Sequence, residues 1–221
     1  MKPVDAASLV IVRDRREVLM GLRSSRHVFA PQQYVFPGGR VDAGDSRVPA
    51  PFTLPVPVQR RLSRSVTAAR GRGIAMAAVR ETWEETGLLL ARPLASPLRT
   101  RSPGWRSFYN KGLAPALDRV SYFARAITPP NNVRRFDARF FVADACHCVG
   151  SLRGNGELEN LHWVSFADAD NLPMFGITRA VLSLVRCALD TAPVPGTAPE
   201  VAPEVIEREL VEQHPVTLPS T

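Results

Sequence analysis

The segment that most constrains the fold is an apolar-faced helix that ends on a glycine. Residues 73–86 (GIAMAAVRETWEET) place Met76, Val79 and Trp83 at spacings of three and four, which predicts a helix with one apolar face. Gly87 follows directly, and glycine is the residue that most readily ends a helix. The apolar face must pack against another layer of the protein, so this helix belongs to a folded core.

The same helix carries three carboxylates on one face. Glu81 lies one turn from Glu84 and Glu85, with Cβ atoms about 5–6 Å apart. Like charges so placed repel, and only Arg80 is near enough in sequence to offset them, through Glu84. One interpretation is a site for a divalent cation such as Mg²⁺, which takes oxygen ligands. The alternative is a solvated acidic face, which is common on helices.

Strands and helices alternate along the rest of the chain. Strands are predicted at 6–12, 17–23, 33–36, 120–128, 138–143 and 160–165, and a second amphipathic helix is predicted at 177–189. The third strand stops at Pro37-Gly38-Gly39, a strong breaker. Residues 97–118 read as irregular. This alternation favours an α/β architecture.

The charge of the chain is unevenly distributed. Residues 1–190 hold 27 basic and 16 acidic residues, whereas residues 191–221 hold one Arg and five Glu. A basic body suggests anionic partners: nucleotides, nucleic acid or a membrane surface. Within the body, residues 46–72 carry four prolines, six arginines and no acid. We therefore predict one domain over 1–190 with an inserted basic loop at 46–72, followed by an acidic, proline-rich tail at 191–221.

Several classes of protein are disfavoured by the sequence. The longest apolar runs fall short of the roughly 18 residues that a membrane helix needs. Three cysteines are too few for a disulfide scaffold, and the N-terminal residues do not read as a signal peptide. We expect a cytoplasmic protein without membrane partners.

The carboxylate segment resembles the second half of the Nudix box, G-x5-E-x7-R-E-U-x-E-E-x-G-U, where U is a bulky apolar residue. The matching residues are Arg80, Glu81, Glu84, Glu85, Gly87 and Leu88. Phe36-Pro37-Gly38-Gly39 resembles the first half of the box. After Gly39 and five further residues comes Asp45, where the box has Glu. An insertion of 27 residues then separates the two halves. The resemblance implies a Nudix α/β/α sandwich with a central mixed sheet, with the carboxylate helix and the 177–189 helix on opposite sides.

The resemblance also implies a reaction, the hydrolysis of a nucleoside diphosphate linked to another moiety, with Mg²⁺ or Mn²⁺ as cofactor. Glu84 and Glu85 would be the main metal ligands, and Glu81 would support the metal or activate water. The resemblance also implies that the Gly38 carbonyl and Asp45 are additional metal ligands. It implies that Arg80 orients the carboxylates and that Glu157 is a distal acid. Glu159 is the alternative distal acid, and the remaining alternative is that both glutamates are simple loop charges.

A narrower resemblance covers most of the chain. RSSRHVFAPQQYVFPGGRVDAGD and AITPPNNVRRFDARFFVA look like the Nudix branch typified by nucleoside diphosphate-linked moiety X motif 19, which includes coenzyme A diphosphohydrolases. Of a related coenzyme A signature, Leu19, Arg23 and Ser24 fit, whereas Val28 and Gln32 depart from it. The basic residues expected to bind substrate are Arg23, Arg60, Arg61, Arg64 and Arg135.

Other functions stay open at this point. The substrate could be another nucleotide conjugate, such as an ADP-sugar, NADH or a dinucleoside polyphosphate. The basic body suggests an enzyme acting on RNA caps or a nucleic-acid binder, but no helix-turn-helix, zinc-finger or RNP-like pattern supports this, so nucleic acid is not the expected partner. A catalytically silent nucleotide sensor is disfavoured by the complete R-E-x-x-E-E-x-G segment. A small anionic nucleotide is therefore the expected partner, and a homodimer is compatible with the sequence.

Overall fold

The computed structural model of the chain describes residues 2–25, 32–132 and 134–191. The strands are β1 (Val4–Arg13), β2 (Glu17–Arg23), β3 (Tyr34–Val35), β4 (Gly38–Arg40), β5 (Leu89–Pro93), β6 (Leu113–Pro115), β7 (Ser121–Ile127), β8 (Phe136–Asp144), β9 (Cys148–Val149) and β10 (Leu158–Ser165). The helices are α1 (Val56–Leu62), α2 (Ala68–Thr86), α3 (Pro103–Tyr109), α4 (Phe166–Ala169) and α5 (Gly176–Thr191). Short 3₁₀ turns lie at Leu117–Arg119 and Ala145–His147. Residues 192–221 of the predicted tail lie outside the described residues.

A mixed sheet forms the centre of the fold. Its strands run in the order β10-β2-β1-β8-β7, with β3 added beside β2 and β4 beside β1. β1 and β8 are parallel, and the other pairs of this sheet are antiparallel. A second, three-stranded sheet, β6-β5-β9, lies beyond the C-terminal end of α2. The predicted mixed α/β architecture is confirmed.

Alternation along β1 explains how the sheet buries both of its faces. Leu9 and Ile11 belong to the core on the side of α2, whereas Val10 and Val12 belong to the core on the side of α5. Successive side chains of a strand point to opposite faces, so an apolar run of this kind marks a strand covered on both sides. The predicted three-layer arrangement of helix, sheet and helix follows from this burial.

Two helices that the sequence did not predict flank α2. The sequence predicts a loop over 46–72 and irregular structure over 97–118, yet α1 forms in the first segment and α3 in the second. Each has a proline in its first turn, where the missing N–H costs nothing, so proline begins these helices rather than preventing them. α2 itself begins at Ala68, five residues earlier than predicted, with Thr67 as its N-cap. No helix within the described ranges is both long and apolar enough to cross a bilayer.

Candidate active site

The glycine turn before β4 lies directly against the carboxylates of α2. The backbone N–H of Gly38 donates a hydrogen bond to Glu85 Oε2 at 2.8 Å. At Gly39 an added Cβ atom would lie 2.5–2.7 Å from the carboxylate atoms of Glu81, so any other residue would displace that carboxylate. Glycine at position 39 therefore lets the backbone approach the carboxylate without moving it. β4 reaches this position by pairing with β1.

Arg80 organises the carboxylate face from within. Its Nη1 donates to Glu81 Oε1 and to Glu84 Oε2, each at 2.9 Å. Its Nε and Nη2 donate to the two oxygens of Asp45 at 2.9 and 3.0 Å, and Nη2 also donates to the Arg40 carbonyl at 3.0 Å. A guanidinium has five N–H donors, and these five bonds use all of them. Arg80 thus holds the carboxylates in place, in line with its expected orienting role.

The surroundings of Asp45 differ from those expected of a metal ligand. It is 1% exposed, and besides Arg80 its carboxylate accepts hydrogen bonds from the Asp42 backbone N–H at 2.8 Å and from Trp105 Nε1 at 2.8 Å. We had expected Asp45 to bind a metal ion. Both of its oxygens are instead directed at donors within the protein, so its geometry is that of an anchor for Arg80 and not of an exposed ligand.

Burial changes the protonation of the helix carboxylates. Burial raises the pKa of Glu85 to about 8, although the hydrogen bond from Gly38 opposes the change. Burial likewise raises the pKa of Glu81 to about 7 against the charge of Arg80, and raises the pKa of Glu84. For Arg80, burial would lower the pKa, but the hydrogen bond to Asp45 and the charges of Glu81 and Glu84 raise it overall. Burial thus favours the protonated form of these glutamates, and a cation bound beside them would favour the ionised form.

One cavity of about 590 Å³ opens beside this face. Glu81, Glu84 and Glu85 line one part of it together with Gly38 and Gly39. Its apolar part lies between the sheet and the start of α5, and is lined by Phe36, Phe136, Phe140, Phe175 and Ile177. The cavity therefore joins an acidic region to an aromatic one, which is the pattern of a small-molecule site.

Glu157 and Arg23 also line the cavity, at the junction of β10 and β2. The Ser24 N–H donates to the Glu157 carbonyl at 3.1 Å, which holds the two segments together. Burial lowers the pKa of Arg23, and the charges of Glu85 and Glu157 oppose this. Glu159 is exposed and is not among the lining residues that the structure describes. The geometry thus favours Glu157 over Glu159 as the distal acid.

The other basic residues expected to bind substrate lie elsewhere. α1 packs on α2 and β7, with Leu62 against Gly71, and ten helical residues, or about 15 Å, separate Gly71 from Glu81. Arg60 and Arg64 are exposed there, and the Arg61 guanidinium lies 5.0 Å from the centroid of the Tyr122 ring. Arg135 Nε donates to the Thr128 carbonyl at 3.0 Å. Among the described cavity-lining residues these four arginines are absent.

Two residues beside the site, both on α3, had no signal in the sequence. Trp105 and Gly104 come from α3, and an added Cβ on Gly104 would lie 3.1 Å from Arg80 Cδ and 3.2 Å from Glu84 Oε1. Arg134, rather than its neighbour Arg135, lines the cavity. In the sequence of α3, Pro103 followed by Gly-Trp indicates the start of a helix, but it does not indicate what the helix contacts.

Comparison with solved structures identifies the fold. The chain is 28% identical to a Nudix hydrolase from Alicyclobacillus acidocaldarius, over 88% of this chain and 94% of that one, with a TM-score of 0.66. The fold is that of the Nudix hydrolases. A MutT Nudix hydrolase from Burkholderia pseudomallei is 20% identical, over 84% of this chain and 99% of that one, with a TM-score of 0.50. No protein-family model matches the chain, and no curated protein matches it.

The Nudix fold brings Asp45, at the end of the first half of the sequence pattern, against Arg80, at the start of the second half. Asp45 and Arg80 are 35 positions apart, yet their side chains form a buried, two-pronged ion pair. Arg72 Nη2 also donates to the Ser46 carbonyl at 2.8 Å, which ties the end of the insertion to its beginning. The hydrogen bond thus holds Ser46, which directly follows Asp45, against the first turns of α2.

The donor atoms at this site suit a hard divalent cation. Arg80 takes one oxygen of Glu81 and one of Glu84, and the Glu84 side chain is 36% exposed. Within the described ranges no three acidic, His or Cys groups form a ready-made metal cage. Mg²⁺ does not require one, because it keeps several waters and binds through one or two carboxylates together with substrate phosphates. The remaining oxygens of Glu81 and Glu84, with Glu85 beside them, fit that mode of binding.

Proposed function

We propose that this chain is a hydrolase that uses Mg²⁺ or Mn²⁺ to cleave the pyrophosphate bond of a nucleoside diphosphate linked to another moiety. One observation carries the proposal: three glutamates of α2 with raised pKa values, two of them held by Arg80 and the third by the Gly38 N–H, face a cavity of about 590 Å³. A pyrophosphate brings negative charge to this face, so a cation between the two is needed for binding.

The protein residues have distinct tasks in this reaction. A bound divalent cation would screen the phosphate oxygens and lower the pKa of a water molecule. Arg80 keeps Glu81 and Glu84 at fixed separations through its Nη1 atom, so these carboxylates need not reorganise when charge arrives. Glu85 is held by Gly38 and Glu157 lies across the cavity, where either carboxylate can accept a proton from water.

The cavity also supports a proposal about the substrate. Arg23 and Arg134 offer positive charge to phosphate groups, since a guanidinium recognises phosphate through its planar fork. The aromatic side chains of Phe136 and Phe140 offer an apolar surface to a base or an organic tail. Coenzyme A and its acyl esters combine both features, and Arg23, which fits the coenzyme A signature, is one of the lining residues. Coenzyme A is therefore our proposed substrate.

A substrate panel tests both levels of the proposal. The purified protein is incubated with Mg²⁺ or Mn²⁺ and, in parallel, with coenzyme A, acetyl-coenzyme A, an ADP-sugar, NADH and a dinucleoside polyphosphate, and products are identified by mass. We expect coenzyme A to yield 3′,5′-ADP and phosphopantetheine. Faster turnover of another conjugate would reject coenzyme A and keep the reaction, whereas no turnover of any compound would reject the reaction.

A further inference from the structure

We infer that Trp105 is a positioning residue for the carboxylates of α2, acting through Asp45 and Arg80; the inference rests on the proposed metal-dependent function. Trp105 is fully buried, and its Nε1–H donates to Asp45 Oδ1 at 2.8 Å. The same oxygen accepts from Arg80 Nε at 2.9 Å. A single oxygen therefore joins the indole to the guanidinium that holds Glu81 and Glu84.

The charges around Arg80 explain why this hydrogen bond matters. The guanidinium is shared among the carboxylates of Asp45, Glu81 and Glu84, so Asp45 does not receive its full charge. A carboxylate that is 1% exposed must have its oxygens satisfied by donors. Trp105 supplies a neutral donor, which stabilises Asp45 without drawing Arg80 away from the other two carboxylates.

The surroundings of Trp105 hold the indole in a fixed orientation. Its ring stacks on Tyr109 with centroids 5.9 Å apart and packs on Phe108 with centroids 5.3 Å apart. Phe108 in turn makes an edge contact, at 5.5 Å, with Trp83 on α2 itself. The helix α3 thus contacts α2 through these aromatic rings and contacts the loop after β4 through the hydrogen bond to Asp45. Loss of the indole N–H leaves the packing in place and removes only the link to Arg80.

The full chain offers a matched pair of variants. Trp105→Phe removes the N–H donor and keeps an aromatic ring, whereas Tyr109→Phe removes a hydroxyl on the same helix that donates to the Pro49 carbonyl and does not contact Asp45. Mn²⁺ binding to the metal-free protein is measured by calorimetry, and kcat and KM are measured with the best substrate. We expect Trp105→Phe to weaken Mn²⁺ binding about fivefold and to lower kcat severalfold with KM little changed. Tyr109→Phe should alter each by less than twofold.

A double-mutant cycle separates positioning from packing. If Trp105 acts through Asp45, the loss of Mn²⁺ affinity caused by Trp105→Phe disappears in the Asp45→Ala background, which has no acceptor for the indole N–H, whereas an effect of packing persists there. Should Trp105→Phe fail to fold, benzothienylalanine at position 105 keeps the bicyclic shape and lacks only the N–H. Unchanged Mn²⁺ binding in a folded variant, or additive effects in the cycle, overturns the inference. A wild-type protein that binds no Mn²⁺ overturns the proposed function as well.

Discussion

Arg80 and Arg139 are both buried among carboxylates. Around Arg80 carboxylates outnumber arginines, whereas around Arg139 arginines outnumber carboxylates. Arg80 alone serves Asp45, Glu81 and Glu84. Arg139 pairs with Asp5 at 3.2 Å and with Asp137 at 3.3 Å, and two further arginines share these aspartates. Those arginines are Arg70, which is 2.5 Å from Asp5, and Arg125, which is 2.7 Å from Asp137.

The reversed ratio has opposite effects on protonation. At the first cluster, burial raises the pKa of Glu81 to about 7 because one arginine cannot compensate for it. At the second, burial would raise the pKa of Asp137, but the hydrogen bond from Arg125 and the charge of Arg139 lower it overall. A cluster with more carboxylates than arginines attracts a cation, whereas in a cluster with more arginines than carboxylates every carboxylate is paired. The comparison therefore supports the proposed metal site at the first cluster and a structural role for the second.

Removing a carboxylate from the Arg80 cluster should produce the largest effect. We expect Glu84→Gln to lower kcat by about 10²–10³-fold, because it removes a negative ligand and keeps an oxygen that accepts from Arg80. The melting temperature of the metal-free protein should hold or rise slightly as repulsion falls. The control is Glu159→Gln, an exposed glutamate outside the cavity lining as described. Near-full activity in Glu84→Gln would move the metal site elsewhere.

Removing the central arginine of the second cluster should affect stability instead. Arg139→Met leaves Asp5 and Asp137 with one arginine each in a buried position, which should cost about 3 kcal/mol of unfolding free energy. Denaturant unfolding measures this change. Arg186→Met, which breaks an exposed pair with Asp170 at 3.5 Å, should change stability by less than about 0.5 kcal/mol. Equal losses in the two variants would remove the distinction between buried and exposed pairs.

The pH dependence of stability sharpens the comparison further. The folded-state pKa of Asp137 lies below its ordinary value of 3.8, so ionised Asp137 stabilises the fold. This contribution is fully present above the unfolded-state pKa and is lost as the pH falls through the folded-state value. Asp137→Asn should therefore be about 2 kcal/mol less stable than wild type at pH 7. Below pH about 4 the difference should shrink. A difference independent of pH would show that the charge of Asp137 is not what stabilises the cluster.

Arginines outside both clusters should have the smallest effects. The sequence predicts that Arg60, Arg61 and Arg64 bind substrate, in a segment that begins directly after Asp45. In the structure α1 and the turn after it carry these arginines to the start of α2, about 15 Å along the helix from Glu81. Arg60→Ala with Arg64→Ala should now leave KM within twofold at low ionic strength, whereas Arg23→Ala should raise it severalfold. A severalfold rise in the former variant would restore the first expectation.

The local pattern of the sequence predicted the parts of the site that lie within single elements. The helix with Glu81, Glu84 and Glu85, its end at Gly87 and the strand before Gly38 all follow from spacing and from the known behaviour of glycine. These features depend on neighbours a few positions apart, so periodicity is enough to find them.

Contacts between distant segments could not be predicted in this way. Trp105 reaches Asp45 across 60 positions, and nothing in the spacing of α3 indicates its partner. Asp45 lies where the pattern has a metal-binding acid, but its role depends on which donors the fold brings to it. The helix α1 was missed because Pro55 and Pro57 were read as breakers, although proline is favoured in the first turn of a helix.

The most direct test of the central claim compares Mn²⁺ binding when each cluster is altered in turn. Calorimetric titrations are made on metal-free wild type, Glu84→Gln and Asp137→Asn at neutral pH. We predict that Asp137→Asn binds Mn²⁺ as wild type does, and that Glu84→Gln binds it at least tenfold more weakly. The reason is that only in the Arg80 cluster do carboxylates outnumber arginines. Wild-type affinity in Glu84→Gln, or an equal loss in both variants, would contradict the account.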